Sequence, residues 1–231
     1  MRLKNIIIHV KNALLYRELD PNNSKILLVN NLRLFKKSNS IFIHIPKAAG
    51  ISFHDGLYGK ESKGHVPIQS YLNFLGEKRV NEMFKFTIVR DPYERLISAF
   101  LYLKKGGREK KNDIKYQDII EKYLTFEDFV LNFFKSDEYL NIEHFIPQYH
   151  WLVDKDDNLI VDYIGRFEKI EEEFLIIKER LNFKSTFKTL PKKNITNISH
   201  NINYTNEMLQ IVNSIYYKDF EFLNYKKRDT I

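Results

Sequence analysis

Runs of β-favouring apolar residues are separated along the chain by longer stretches with helical periodicity. We expect buried strands at Ile41–Ile45 and Lys85–Val89, and a third strand at Leu159–Ile164. The main predicted helices are Ser52–Tyr58, Ile68–Phe74, a helix starting after Asp91, Phe126–Phe134, Ile170–Leu181 and Thr205–Tyr217. Strands separated by helices indicate an α/β fold, in which a parallel sheet has helices on both faces.

The first predicted strand runs into a tight turn and the start of a helix. The turn, Pro46–Gly50, contains Lys47 and small residues, and Ser52 follows in the first helical turn. Such a junction gathers backbone N–H groups around one point, so it suits a phosphate. A Walker A loop carries a hydroxyl residue directly after its lysine to hold magnesium. Ala48 takes that place here, which favours a nucleotide used without a bound metal. His44, just before the turn, is expected to be a hydrogen-bonded core histidine.

The second predicted strand ends at a similar turn, which carries Arg90. Asp91 can cap the helix that follows, and Pro92 suits its first position. Ser98 lies about two turns further on, where its hydroxyl and the Arg90 guanidinium can bind one phosphate. The alternative interpretation is that Ser98 is a small packing residue without a ligand and that Arg90 forms an ion pair with a carboxylate. Ligands of open α/β sheets bind at the carboxyl ends of the strands, so the two junctions predict a ligand with two separate anionic groups.

Composition narrows the class of protein. The length of 231 residues predicts one domain, or one domain with an appended subdomain. Residues 1–38, with a short apolar start and an amphipathic piece, are expected to be an N-terminal extension, and residues 39–231 the domain. The absence of cysteine excludes disulfides and thiolate sites. The excess of 37 Lys and Arg over 30 Asp and Glu fits an anionic ligand, and nucleic acid would satisfy it equally well. No window approaches the roughly 20 apolar residues of a membrane span, so we expect no stable membrane insertion and a cytoplasmic location.

Several segments resemble motifs of a known enzyme family. Pro46–Phe53 is similar to the 5′-phosphosulfate loop of the sulfotransferases that use 3′-phosphoadenosine 5′-phosphosulfate (PAPS), and Val89–Phe100 is similar to their 3′-phosphate element. The resemblance is to the carbohydrate O-sulfotransferases, among them the heparan sulfate 2-O type and bacterial relatives. Supporting segments are Gly64–Val66, His144–Gln148, Asp162–Glu168 and Asp219–Phe222. The resemblance implies a single P-loop-like α/β domain with a short central parallel sheet flanked by helices.

The same resemblance implies a role for each matched residue. Lys47 would contact the phosphosulfate bridge and stabilise the leaving phosphate, and His65 would be the general base that takes the proton of the acceptor hydroxyl. The 5′-phosphate would be held by the Ser52 hydroxyl and by the backbone N–H groups of Ala49, Gly50, Ile51, Ser52 and Phe53. The 3′-phosphate would be held by Arg90 and Ser98. The residues that would close a loop over the nucleotide are Lys193, Asn194 and Ser199. No metal is required.

The acceptor is the part of the reaction that these residues define least. The resemblance implies a carbohydrate or glycoconjugate acceptor, PAP as the product and no nucleic acid partner, and it leaves the oligomeric state open. His144 and Gln148 are candidates for the acceptor cleft, with His144 alternatively only supporting it. The basic run Lys104–Lys111 is typical of a solvated loop, or else it steers an acidic acceptor. Two other functions stay open: a metal-dependent small-molecule kinase and a non-catalytic basic binding module.

Overall fold

The computed structural model describes residues 21–62, 64–108, 111–182, 189–190 and 202–229. The strands are β1 Ser40–Ile43, β2 Phe84–Val89 and β3 Tyr163–Arg166. The α-helices, in chain order, are α1 Pro21–Ser38, α2 Gly50–Tyr58, α3 Ile68–Leu75, α4 Glu77–Asn81, α5 Pro92–Lys104, α6 Lys111–Ile120, α7 Phe126–Phe133, α8 Ile170–Leu181, α9 Asn206–Ile215 and α10 Tyr217–Phe222. Short 3₁₀ helices are Asp137–Asn141, Gln148–Trp151 and Phe167–Lys169.

The chain divides into two compact units. The first unit is formed by the described parts of Met1–Arg90 and Gln148–Ile195, and the second by those of Asp91–Pro147 and Thr196–Ile231. The boundary therefore falls directly after Arg90, between β2 and α5.

The sheet belongs to the first unit. Among the residues described, β2 lies between β1 and β3 and pairs with both in parallel. Ser40 lies opposite Phe84, and Val89 lies opposite Arg166. The predicted α/β fold, with a short parallel sheet flanked by helices, is confirmed. Because the strands are parallel, β1 and β2 end at the same edge, where the Lys47 turn and Arg90 follow them.

The third strand starts later than the sequence predicted. Pairing with β2 covers Tyr163–Arg166 rather than Leu159–Ile164. Leu159 instead forms an isolated antiparallel bridge with Val153, closed by the turn at Asp154–Asn158. The apolar pattern could not separate these two pairings, because both place an extended segment beside another one.

Aromatic side chains hold the strands of the first unit against its helices. Phe42 of β1 stacks on Phe86 of β2 with 5.1 Å between ring centroids. Phe53 of α2 lies 5.7 Å from Phe42, and Phe174 of α8 meets Phe53 edge-on at 5.6 Å. All four side chains are buried. This cluster fixes the end of β1 relative to the start of α2, and so fixes the turn between them.

Helix α1 lies in the segment predicted to be an N-terminal extension. Phe35, in its last turn, is fully buried. Its ring lies 5.6 Å from that of Tyr58 in α2 and 6.1 Å from that of Tyr71 in α3. The end of α1 therefore packs into the first unit, while the boundary at residue 38 stays a prediction.

The second unit has a core of its own, built from helices. Phe129 of α7 lies 5.0 Å from Phe100 of α5 and 5.1 Å from Phe145, measured between ring centroids. The buried Tyr216 hydroxyl donates to the Phe145 carbonyl at 2.9 Å. In neither unit is any described helix both long and apolar enough to cross a membrane.

Candidate functional site

The turn after β1 has an unusual backbone. We call residues Pro46–Gly50 the Lys47 loop. Lys47 has a φ of 67° and Ala49 a φ of 56°, both in the left-handed region that side chains other than glycine rarely adopt. Each such residue costs roughly 1–2 kcal/mol. Left-handed residues within a turn form backbone concavities lined with N–H groups, so the loop has the backbone of an anion site.

Helix α2 begins at this loop without a side-chain cap. Its N-cap residue is Ala49, whose methyl group has no oxygen to accept from the first N–H groups, and no side-chain cap is found there. The backbone ladder of the helix starts with the Phe53 N–H, which donates to the Ala49 carbonyl at 3.1 Å. The preceding N–H groups and the positive end of the helix dipole therefore suit a bound anion.

Position 50 requires glycine because the His44 ring leaves no space for a side chain there. A Cβ atom at Gly50 would lie 1.8 Å from His44 Cδ2 and 2.3 Å from its Nε2. The His44 imidazole is buried, and burial, followed by the charges of His65 and His54, holds its pKa well below its usual value. His44 is thus a neutral ring at neutral pH, packed between the Lys47 loop and the segment that carries His65.

His65 lies beside His44 in a defined tautomer. Its Nδ1 is 3.0 Å from the His44 backbone oxygen. A carbonyl oxygen only accepts, so Nδ1 carries the proton and Nε2 of the neutral ring has a lone pair. The Trp151 ring lies edge-on at 6.1 Å between centroids, and His65 itself is half-buried. Nε2 is therefore the nitrogen that can take a proton from a ligand.

Arg90 is held from three sides within the first unit. The Gln148 side chain accepts from the Arg90 N–H at 2.9 Å and donates to the Arg90 carbonyl at 2.7 Å. The guanidinium carbon lies 4.2 Å from the centre of the Phe167 ring. Arg90 Nη1 donates to the Lys47 carbonyl at 3.4 Å. The structure thus brings the Arg90 guanidinium into contact with the Lys47 loop.

Gln148 has a role that sequence reasoning did not foresee. Its side chain is fully buried and bonded to the backbone of Arg90, so it supports the arginine. A contact between Gln148 and an acceptor stays a prediction. The proline that precedes Gln148 and the short 3₁₀ helix that begins with it place the amide, and nothing in the local sequence indicates which backbone it would meet.

The other candidates for which the structure gives positions lie in the second unit. Ser98 is buried within α5. His144 is buried with its ring 5.2 Å from that of Tyr102, and its carbonyl accepts from Arg95 Nη1 at 3.1 Å. Two roles stay predictions: that Ser98 and Arg90 bind the same phosphate, and that His144 lines an acceptor cleft.

The remaining candidates, Lys193, Asn194 and Ser199, lie outside the described residues. Within the part of the chain that is described, there is no group of three or more His, Cys, Asp or Glu side chains placed to hold a metal ion.

Comparison with known proteins agrees with these motifs. The model of the sulfotransferase family matches residues 30–226. Carbohydrate sulfotransferase 14 of Mus musculus is 31% identical over 109 residues, which is 41% of this chain and 28% of that protein. The same enzyme of Homo sapiens is 29% identical over 108 residues, again 41% of this chain and 28% of the relative.

The enzyme of Danio rerio is 29% identical over 116 residues, which is 45% of this chain and 31% of that relative. The aligned segments therefore span less than a third of the length of these curated relatives. No solved structure matches the chain. Because the family model covers most of the chain, including the Lys47 loop and Arg90, the chain belongs to the sulfotransferase family.

Proposed function

We propose that this protein transfers a sulfuryl group from PAPS to a hydroxyl of a carbohydrate or glycoconjugate. The observation that carries the proposal is the contact of Arg90 with the Lys47 loop, at the carboxyl ends of β1 and β2. Two cationic residues and the uncapped start of α2 meet there. Family membership supports sulfuryl transfer, and the names of the matched relatives support a carbohydrate acceptor.

The donor set of the first unit fits a nucleotide with two anionic ends. The N–H groups at the start of α2 and the buried Ser52 hydroxyl suit the 5′ end. The Arg90 guanidinium, a planar fork of donors, suits the second phosphate, with Ser98 as its proposed partner. The Phe167 ring, whose centre lies 4.2 Å from the guanidinium carbon, supports that fork. The proposed product, PAP, has both phosphates and is a direct probe of the site.

The chain's own groups divide the chemistry between them. PAPS, when bound, supplies an activated sulfuryl group attached to a phosphate. His65 Nε2 takes the proton of the acceptor hydroxyl as the oxygen bonds to sulfur, and its Nδ1–H stays on the His44 carbonyl. The charge left on the departing phosphate is stabilised by the Lys47 ammonium and by the N–H groups of the loop, which are in place before the reaction begins.

Binding and turnover test this function separately. Thermal shifts with PAP, with ATP plus magnesium, and with a DNA oligonucleotide compare the three classes of ligand. We expect PAP alone to stabilise the protein, by about 2.7 kcal/mol at 100 times its dissociation constant. Stabilisation by ATP with magnesium and not by PAP would favour a kinase instead.

Turnover is measured with radiolabelled PAPS and a panel of unsulfated polysaccharides, neutral glycans and simple glycosides. We expect transfer to at least one carbohydrate. The variant His65→Ala should lose about 10²–10⁴ in rate while it keeps PAP binding. The variant Arg90→Ala should instead weaken PAP binding. Normal sulfation by His65→Ala would remove the assignment of the base.

A further inference from the structure

We propose that His44 is a positioning residue for the base: its imidazole clamps the segment that carries His65 onto the Lys47 loop. The inference rests on the proposed function, because it takes His65 as the base. It goes beyond a general core role, since the ring contacts both functional segments at once. The clamp comprises His44, Ser62, Gly64 and Gly50.

The first half of the clamp is polar. His44 Nδ1 lies 2.9 Å from Ser62 Oγ. Ser62 Oγ in turn donates to the Gly64 carbonyl at 3.4 Å, so the His44 Nδ1–H is the donor to Ser62. One buried side chain therefore holds Ser62, and through it Gly64, directly ahead of His65. A loop held in this way has few alternative positions for the residue that follows it.

The second half of the clamp is steric. The edge of the His44 ring lies so close to Gly50 that a methyl group there would overlap it, at 1.8 Å from Cδ2. Any shift of the Lys47 loop toward His44 would therefore push the ring, and any shift of the ring would change its hydrogen bond to Ser62, which in turn bonds Gly64. The position of the base is coupled through this ring to the loop that is proposed to hold the donor.

The His44 residue also contacts His65 directly. The two ring centroids are 4.2 Å apart, tilted by 55°, and the His65 Nδ1–H donates to the His44 backbone carbonyl. Burial lowers the pKa of His44, so its ring adds no positive charge beside His65 when that residue takes a proton. The backbone carbonyl of His44 sets the tautomer of His65, and the side chain of His44 sets the position of His65.

Three variants separate these contributions. His44→Phe keeps a ring on Gly50 and removes the hydrogen bond to Ser62. Ser62→Ala removes the same hydrogen bond but keeps the His44 ring beside His65, and Ser62→Thr is its matched control because it retains a hydroxyl. The measurements are the side-chain ¹⁵N NMR spectrum, with His65 assigned by the loss of its signals in His65→Ala, the PAP dissociation constant by calorimetry, and the transfer rate from PAPS to the best acceptor of the panel.

In the wild type, we expect His65 to give the spectrum of a ring protonated at Nδ1 alone. In His44→Phe, we expect a mixture of tautomers and a fall in kcat of up to about 10²-fold, the loss that misplacement by about 1 Å can cause. The KM for PAPS and the affinity for PAP should stay within about twofold. Ser62→Ala should change the spectrum and kcat in the same direction but less, and Ser62→Thr should behave as the wild type.

A purely structural role would lower thermal stability in His44→Phe and leave the tautomer and the kcat of the folded fraction unchanged, and that result would overturn the proposal. A wild-type His65 protonated at Nε2 would overturn it as well. If His44→Phe does not fold, the Ser62 pair decides: equal tautomers and rates in Ser62→Ala and Ser62→Thr would contradict the clamp. Failure of the wild type to bind PAP would refute the proposed function, while the NMR result would still show whether His44 holds His65.

Discussion

The chain makes a strand–turn–helix junction twice, and the two junctions differ in whether a side chain caps the start of the helix. After β1, helix α2 starts at Ala49, which offers no side-chain oxygen to the first N–H groups. After β2, helix α5 starts at Asp91, whose carboxylate accepts from the N–H groups of Tyr93 and Glu94 at 3.0 Å each. The first helix end is open to an anion from outside, and the second is closed by an anion of the chain itself.

The difference shows where positive charge is available for a ligand. At the first junction the backbone supplies it, since left-handed residues and an uncapped helix gather N–H groups around the Lys47 loop. At the second junction the helix end is neutralised, so the available charge is the Arg90 guanidinium. Gln148 holds the backbone of this residue, and the Phe167 ring lies 4.2 Å from the guanidinium carbon. The same pattern of secondary structure thus presents positive charge in two different ways.

The variant Gly50→Ala should have the largest effect on the first junction. The added methyl group would lie 1.8 Å from His44 Cδ2, and the buried ring has little room to withdraw. We expect a loss of about 3 kcal/mol in the free energy of unfolding, typical of a severely overpacked site, and loss of PAP binding. Chemical denaturation and calorimetry measure both.

Ala49→Gly is the matched control at the neighbouring position. Glycine adopts the observed φ of 56° without strain, so this variant should be as stable as the wild type or up to about 1 kcal/mol more stable, and it should still bind PAP. Wild-type stability in Gly50→Ala would show that the His44 ring can move aside for a methyl group at this position.

The variant Ala49→Asp should convert the first junction into a copy of the second. Aspartate tolerates the left-handed region, and its carboxylate would occupy the open helix end. A fixed negative charge about 6 Å from a phosphate costs about 1–3 kcal/mol at effective dielectric constants between those of water and a protein surface. PAP affinity should therefore fall by about 10- to 100-fold, and less at high salt.

Ala49→Asn is the control for shape, since its amide is neutral and nearly isosteric. We expect it to lose much less affinity than Ala49→Asp. Equal affinities for the two variants would mean that the α2 end does not hold the phosphate.

The sequence predicted the local elements of both junctions but not the side-chain contacts that support them, for a physical reason. Local patterns determine a strand, a turn and a cap, so Asp91 could be named as a cap in advance, and it is one. The sheet followed in the same way from alternating elements. Contacts between side chains that are not neighbours on one helix or strand carry no such pattern. The support of Arg90 by Gln148, 58 residues away, could not be inferred, nor could the contact of the His44 ring with Gly50.

Acid should weaken the junction after β1 through its buried histidines. Burial is the main cause that lowers the pKa of His44 and of His54, whose Nδ1–H donates to the Lys60 carbonyl. In the unfolded chain both titrate near 6.5. Below that pH the unfolded state binds more protons than the folded state. The contribution of these two histidines to the free energy of unfolding is therefore fully present above pH 6.5 and is lost as the pH falls.

We expect the free energy of unfolding to fall between pH 6.5 and pH 5 by up to about 1.4 kcal/mol per pH unit for each histidine. Urea denaturation at several pH values measures this slope. In His44→Phe, the slope of the free energy of unfolding against pH should be smaller by the contribution of one histidine. An unchanged slope in that variant would assign the acid sensitivity to other groups.

Asp91→Ala should remove the cap of α5 and cause the smallest loss of stability among these variants. Loss of an N-cap side chain costs about 1 kcal/mol, because the N–H groups of Tyr93 and Glu94 lose their acceptor. Asp91→Ser retains a capping oxygen and should restore most of the stability. Since we assign phosphate binding after β2 to the Arg90 guanidinium rather than to the helix end, PAP affinity should change by no more than about twofold in either variant. A large loss of affinity in Asp91→Ala, restored by Asp91→Ser, would show that the capped helix end itself positions the phosphate group, and the contrast between the two junctions would then be one of degree.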